Sequence, residues 1–137
     1  MGTQLLDVVV AVRPETAVWW GQARRDFVLA RRNHEHRDYD AAVFFCEQAA
    51  QKALKALLLH RTGVMPPKTH NLDELGERAG VPPEIREFLR DLQPHYIRTR
   101  YPDAAGQVTN RLYKGRLSLK FMRGAAMVLK WCRSRLR

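Results

Sequence analysis

The apolar positions of this chain recur every three to four residues, not every second one, and the segments that show this spacing carry helix end signals. That pattern predicts an all-α protein, an antiparallel up-and-down bundle of about five helices. The first helix is expected to start near Pro14, where the missing N–H is no loss. It runs through "ETAVWWGQARRDFVLARRNHE", with Trp20, Ala23, Phe27 and Ala30 facing inward and Arg24, Arg25, Arg31 and Arg32 elsewhere. The second and longest is capped by Asp38 or Asp40 and stopped by Gly63. It is apolar almost all round except for a strip of Glu47, Gln48, Gln51, Lys52 and Lys55. Such a helix belongs at the centre of a bundle; the strip could line a cleft or contact a partner, but a polar strip on a long helix is normally its wet side.

A third, short helix fits "NLDELGERAG", with Asn71 and Glu74 in capping-box spacing and Gly80 as the stop. The fourth begins at Pro82 or Pro83, buries Ile85, Phe88, Leu89 and Leu92, and is expected to end before Pro94, because a residue preceding proline is pushed out of helical geometry. The last spans about Arg111 to Arg135 with Leu117, Phe121, Ala125, Val128, Leu129 and Cys132 on one face. Its opposite face collects Arg116, Lys120, Arg123 and Lys130. The run "LLDVVVAV" fits neither period, and a strand, an extra helical turn and a subunit contact all remain open for it. We therefore expect one domain over residues 1–137, with 1–13 as an extension.

Composition narrows the function. The N-terminus lacks a basic stretch, holds Asp7 within its apolar run and is too short to span a bilayer, so neither a signal peptide nor a membrane helix is expected, and the cytoplasm is the expected location. Cys46 and Cys132 lie far apart without C-x-x-C spacing and read as small core residues; no His/Cys/acid cluster has zinc spacing, so neither metal nor cofactor is implied. Net charge is +10, and residues 104–137 contribute nine Lys/Arg and no acid. Charge of one sign draws a polyanion. The stripe Arg116, Lys120, Arg123 and Lys130 rises along about 20 Å of helix, long enough to follow several phosphates. It has no interleaved aromatic, so it suits backbone contact and not base reading. A solvated basic face is the plain alternative.

Between the fourth and last helices stands "LQPHYIRTRYPDAAG". Arg98 and Arg100, flanked by Tyr96 and Tyr101 and pinned by Pro94 and Pro102, put planar guanidinium forks beside phenols, a combination that grips phosphate and stacks on bases. The same residues would also build a plain corner in which the tyrosines pack and one arginine pairs with Asp103.

Three motifs, the helix "A-x-x-x-x-E-Q-A-A-x-K-A-L-K-A-L", the turn "H-N-L" and the loop "Y-I-x-x-R-Y-P-D", occur in an order and spacing that resembles the HEPN domain, in its small stand-alone prokaryotic branch, over about residues 17 to 132. The resemblance implies a homodimer, a polar loop beside a cleft, and a minimal nucleotidyltransferase as partner in a toxin–antitoxin-like module. It further implies nucleotide or RNA phosphate as ligand, held by Arg98, Arg100, Tyr101, Asp103 and Lys68, and transfer of a nucleotide to Tyr101. Other HEPN branches are metal-independent ribonucleases with Arg, four to six residues, then His. Here the positions that follow Arg98 and Arg100 at that distance hold Asp103, Ala104, Ala105, Gly106 and Gln107. Arg31 with His36 and Arg90 with His95 do match, at the frequency chance provides.

The acid/base candidates for a ribonuclease are His70 and His95. His70 is equally readable as a helix-entry residue bonded to backbone, with Lys68 solvated. His34, His36 and His60 fall near helix ends and read as surface residues. Of Trp19 and Trp20 one should face outward, and Trp19 is the candidate for a subunit contact.

Overall fold

Proline sets the first boundary in the computed structural model, which describes residues 12–66 and 68–137: α1 is Pro14–Glu35, with Pro14 in its first turn. A tight corner with Arg37 at φ 65° turns the chain back into α2, Tyr39–Thr62, and Gly63 closes that helix in the left-handed conformation at φ 73°. Asp38 stands at the N-cap without a side-chain capping bond, while Asp40 accepts a hydrogen bond from Thr109 Oγ1 at 2.9 Å. α3 is Leu72–Ala79, α4 is Pro83–Leu92, and the long C-terminal helix is Gly115–Arg135. Asn71 caps α3 by accepting from the Glu74 N–H at 2.9 Å.

The chain between α4 and the last helix is more ordered than a loop. It holds three single-turn helices, α5 (His95–Arg98), α6 (Pro102–Ala105) and α7 (Thr109–Leu112), so the C-terminal helix is α8. The expectation that α8 begins near Arg111 is corrected: Tyr113 and Lys114 are extended, and this bend carries the Tyr113 ring inward to 1% exposure. Gln93 also departs from expectation, keeping helical angles of −54° and −44° although proline follows. The Tyr96 N–H donates to Gln93 O at 3.1 Å, so Pro94 starts the next turn and does not expel the chain from it.

α2 packs against α1, α3, α5, α7 and α8, which makes it the central helix. Its Ala42, Ala49, Ala50, Ala53 and Ala56 are all fully buried, and side chains this small let neighbouring helices approach closely. Trp20, Phe27, Leu54, Leu57, Leu89, Phe121 and Leu129 fill the space between. At Gly124 a side chain would run into the Phe88 ring, so the missing Cβ admits that ring between α4 and α8. Cys46 and Cys132 are free and buried, and burial pushes the Cys132 thiol up to about 12. Residues 1–11, with all of "LLDVVVAV" except Val12, lie outside the described residues; Val12 packs on the core. Among the described residues no helix is long and apolar enough to cross a membrane.

Candidate functional site

The α2 strip is not the helix's wet side. Glu47 is fully buried, and Gln51 and Lys55 are 4% and 6% exposed. They stand at i, i+4 and i+8, one above another, beneath the chain that enters α3 and beneath α5. Gln48 Nε2 donates to Glu47 Oε1 at 2.7 Å, Gln51 Nε2 donates to Glu47 Oε2 at 3.0 Å, and Lys55 Nζ donates to Gln51 Oε1 at 3.2 Å. An ammonium only donates and a carboxylate only accepts, so the Gln51 amide is oriented from both ends. One turn away, Lys52 pairs with Asp26 of α1 at 2.6 Å, and Asp26 also accepts from Gln22. Lys55 Nζ stands 5.7 Å from the Trp19 ring, so the half-buried Trp19 faces this strip.

His70 closes the chain of contacts. Its Nδ1 lies 3.1 Å from Gln51 Oε1, an acceptor already fixed by Lys55, so Nδ1 carries the proton and Nε2 keeps its lone pair. Partial desolvation first, then Lys55 and Arg100, hold the imidazole below its ordinary pKa and keep it neutral. The ring stacks on Tyr96, centroids 4.3 Å apart. The Arg100 guanidinium lies 4.2 Å from the same Tyr96 ring and 4.8 Å from Phe44. Burial raises the Glu47 pKa, against hydrogen bonds from Gln48 and Gln51 and the charges of Arg100 and Lys52.

Of the residues singled out from sequence, the fold joins His70 and Arg100 and separates the rest. Arg98, two residues before Arg100 in a helical turn, points away, and its charge acts on His95 and Tyr113 instead. His95 is buried, bonded through Nδ1 to the Tyr113 hydroxyl at 2.5 Å and packed on Phe121; burial holds its pKa down to about 4. Lys68, Asp103 and Tyr101 are exposed. Arg90, of the chance Arg90/His95 spacing, binds Asp73 at 2.9 Å. Among the described residues no three His, Cys, Asp or Glu side chains are grouped to hold a metal. The stripe Arg116, Lys120, Arg123 and Lys130 is exposed along α8, with Lys120 3.6 Å from Asp91.

From the sequence, Glu47, Gln51 and Lys55 stand in a strip that could line a cleft, with the wet-side reading preferred. Their signal was the four-residue spacing of groups that can hydrogen-bond in series on an otherwise apolar helix.

The family model of the HEPN domain matches residues 16–134. The crystal structure of TT1696 from Thermus thermophilus is similar at 29% identity with a TM-score of 0.83, covering 90% of this chain and 100% of that one. ST0689, an archaeal HEPN homologue, is similar at 26% identity with a TM-score of 0.71, covering 89% of this chain and 98% of its own. No curated protein matches the chain. With the family model spanning all but the ends, and the overall fold similar to these structures, the chain belongs to the HEPN domain family.

Proposed function

We propose that this protein binds the phosphate of a nucleotide or of RNA where Arg100, Tyr96 and His70 meet α2. In the same proposal it acts as a homodimer beside a minimal nucleotidyltransferase, in a toxin–antitoxin-like module. One observation carries the ligand: the Arg100 guanidinium lies over the Tyr96 ring with no carboxylate among the described residues bonded to it, and the acid whose charge it feels, Glu47, is buried so that its charged form is disfavoured. The guanidinium keeps its charge at any physiological pH, so the cleft has positive charge left for an anion. Arg98, Tyr101, Asp103 and Lys68 are exposed outside the cleft, where the cations Arg98 and Lys68 can add contacts along a polymer, and the α8 stripe adds phosphate contacts farther off. The dimer and the nucleotidyltransferase rest on family membership. Exposed Val18 on α1 and the 53% exposed Tyr101 supply a contact and an acceptor hydroxyl consistent with them.

A second reading, metal-independent ribonuclease, is favoured by the His70 tautomer: a neutral Nε2 lone pair on a ring stacked on Tyr96, the same ring that Arg100 lies over, can take the proton of a 2′-hydroxyl while the guanidinium steadies the phosphorane. His95 is the other candidate, but its ring lies within the core against Phe121 and Tyr113.

End-labelled single-stranded RNA in EDTA, read for gel shift and for cleavage with wild type and Arg98→Ala/Arg100→Ala, separates these readings. A shift without cleavage, lost in the double variant, supports binding. Cleavage lost in the variant establishes the nuclease, and neither signal refutes both. Intact-mass analysis after co-expression with an adjacent nucleotidyltransferase tests Tyr101 as acceptor. An unchanged elution volume for Trp19→Arg would remove Trp19 from the dimer contact.

A further inference from the structure

An open groove of about 370 Å³ runs beside the stacked pair and is lined by His70, Asn71, Gln93, Pro94, Tyr96 and Ile97. Its apolar surface comes from Ile97, 50% exposed, and the exposed Pro94 ring. A flat partner would cover both.

The polar groups of the groove have determined roles. Gln93 Oε1 accepts from the Asp73 backbone N–H at 3.1 Å, which leaves its NH₂ as the remaining end. Asn71 Oδ1 accepts from the Glu74 N–H at 2.9 Å, which leaves its NH₂ likewise. His70 Nδ1–H donates to Gln51, which leaves Nε2 as an acceptor. The groove therefore offers two amide donors, one imidazole acceptor and an apolar floor. Each orientation is imposed by a neighbour that can only donate or is itself fixed: a backbone N–H for the two amides, and the Lys55–Gln51 chain for the ring.

Among the bases, uracil matches this set: O2 and O4 accept, and N3–H donates. Cytosine brings an acceptor N3 where uracil brings a donor, so it would set lone pair against lone pair at His70. The Watson–Crick edge of guanine sets an O6 acceptor beside an N1–H donor but ends in the N2 amino group, which would meet an amide donor; its Hoogsteen edge has two acceptors and no ring donor, and either edge of adenine has only one acceptor beside its amino group. We propose that this groove reads a uracil base, whether of RNA or of a free nucleotide, with Asn71 and Gln93 donating to its carbonyls and His70 Nε2 accepting from N3–H. The inference rests on the phosphate-binding reading above and adds base selectivity to it. Unpaired bases splayed from a single strand are the form in which proteins read RNA sequence, and an apolar floor supplies the stacking contact.

Fluorescence anisotropy with labelled U12, C12 and A12 in EDTA tests it. Wild type should bind U12 about tenfold more tightly than C12 or A12, the scale set by one or two hydrogen bonds made or left unmade. Three variants remove the reading groups; His70→Phe also removes the Nδ1–H bond to Gln51, whose oxygen Lys55 still satisfies. Gln93→Glu and Asn71→Asp retain the oxygen that caps α3 but lose the NH₂, and His70→Phe retains a ring on Tyr96 but loses the acceptor. Each should bring the U12:C12 ratio close to one, a readout that the added negative charge of the first two does not move because it acts on every oligomer alike. Arg100→Ala should weaken all three oligomers together. Displacement of U12 by excess UMP but not by CMP assigns the base to a free nucleotide; selectivity for U12 without UMP displacement assigns it to the polymer. Equal binding of the three oligomers, abolished by Arg100→Ala, overturns uracil reading and leaves phosphate binding standing. Selectivity that survives all three variants overturns this groove as the reader. No binding of any oligomer at low salt overturns both.

Discussion

The polar strip of α2 and the basic stripe of α8 look alike on a helical wheel, yet the fold treats them in opposite ways. Glu47, Gln51 and Lys55 of α2 are buried and hydrogen-bonded in series, while Arg116, Lys120, Arg123 and Lys130 of α8 stay in solvent. What separates them is position in the bundle. α2 is packed on several sides by other elements, so its polar groups must satisfy each other; α8 has one face free, so its cations need no partner. A charged side chain in the first setting holds structure together and orients a site. In the second it acts on partners at a distance and is screened by salt.

The largest expected break in this contrast comes from Lys52→Met. It strands Asp26, whose side chain is 3% exposed, with only the Gln22 amide, and should cost about 3–5 kcal/mol in urea unfolding. Adding Asp26→Leu to it should restore much of that loss, because no buried charge then remains unpaired.

The two candidate histidines sharpen the same contrast. His95, held down to about 4 by burial, binds no proton in the folded protein until well below the ordinary value of 6.5, whereas the unfolded chain takes one at that value. Stability should therefore fall as pH drops from 6.5 towards 4, by roughly 3 kcal/mol, with no further loss from this group below that. Replacing His95 by Phe should flatten that window in a pH series of unfolding curves. On α8, Arg123→Ala should weaken RNA binding by a similar factor for every sequence and lower the salt slope by about one. Smallest of all, Lys120→Ala should change stability by less than about 0.5 kcal/mol, since its contact with Asp91 is 3.6 Å long and both side chains are more than half exposed.

Much of the fold could be read before any coordinates. Pro14, Gly63, Asn71, Gly80 and Pro83 mark helix ends through backbone geometry that depends on the residue itself, and the inward faces of α1 and α4 follow from spacing alone. The segment after Leu92 was less legible. Four-residue turns carry too few positions to show a period, and the extended Tyr113 answers to His95 and the core, which are distant in sequence. Of the site, Arg100 and His70 were named from the chain. Their separation from Arg98 and His95, which look equivalent in sequence, came from the direction each side chain takes out of α5 and its flanks.

By itself, the amino-acid order determined what is local: where helices start and stop, which residues face inward, and where positive charge accumulates. The tertiary structure decided what depends on neighbours distant in the chain. It chose which polar strip lost its water, which histidine kept an accessible lone pair, and which arginine came to lie over Tyr96. Desolvation and hydrogen-bond partnership are properties of a packed environment, and no single helix contains the atoms that set them.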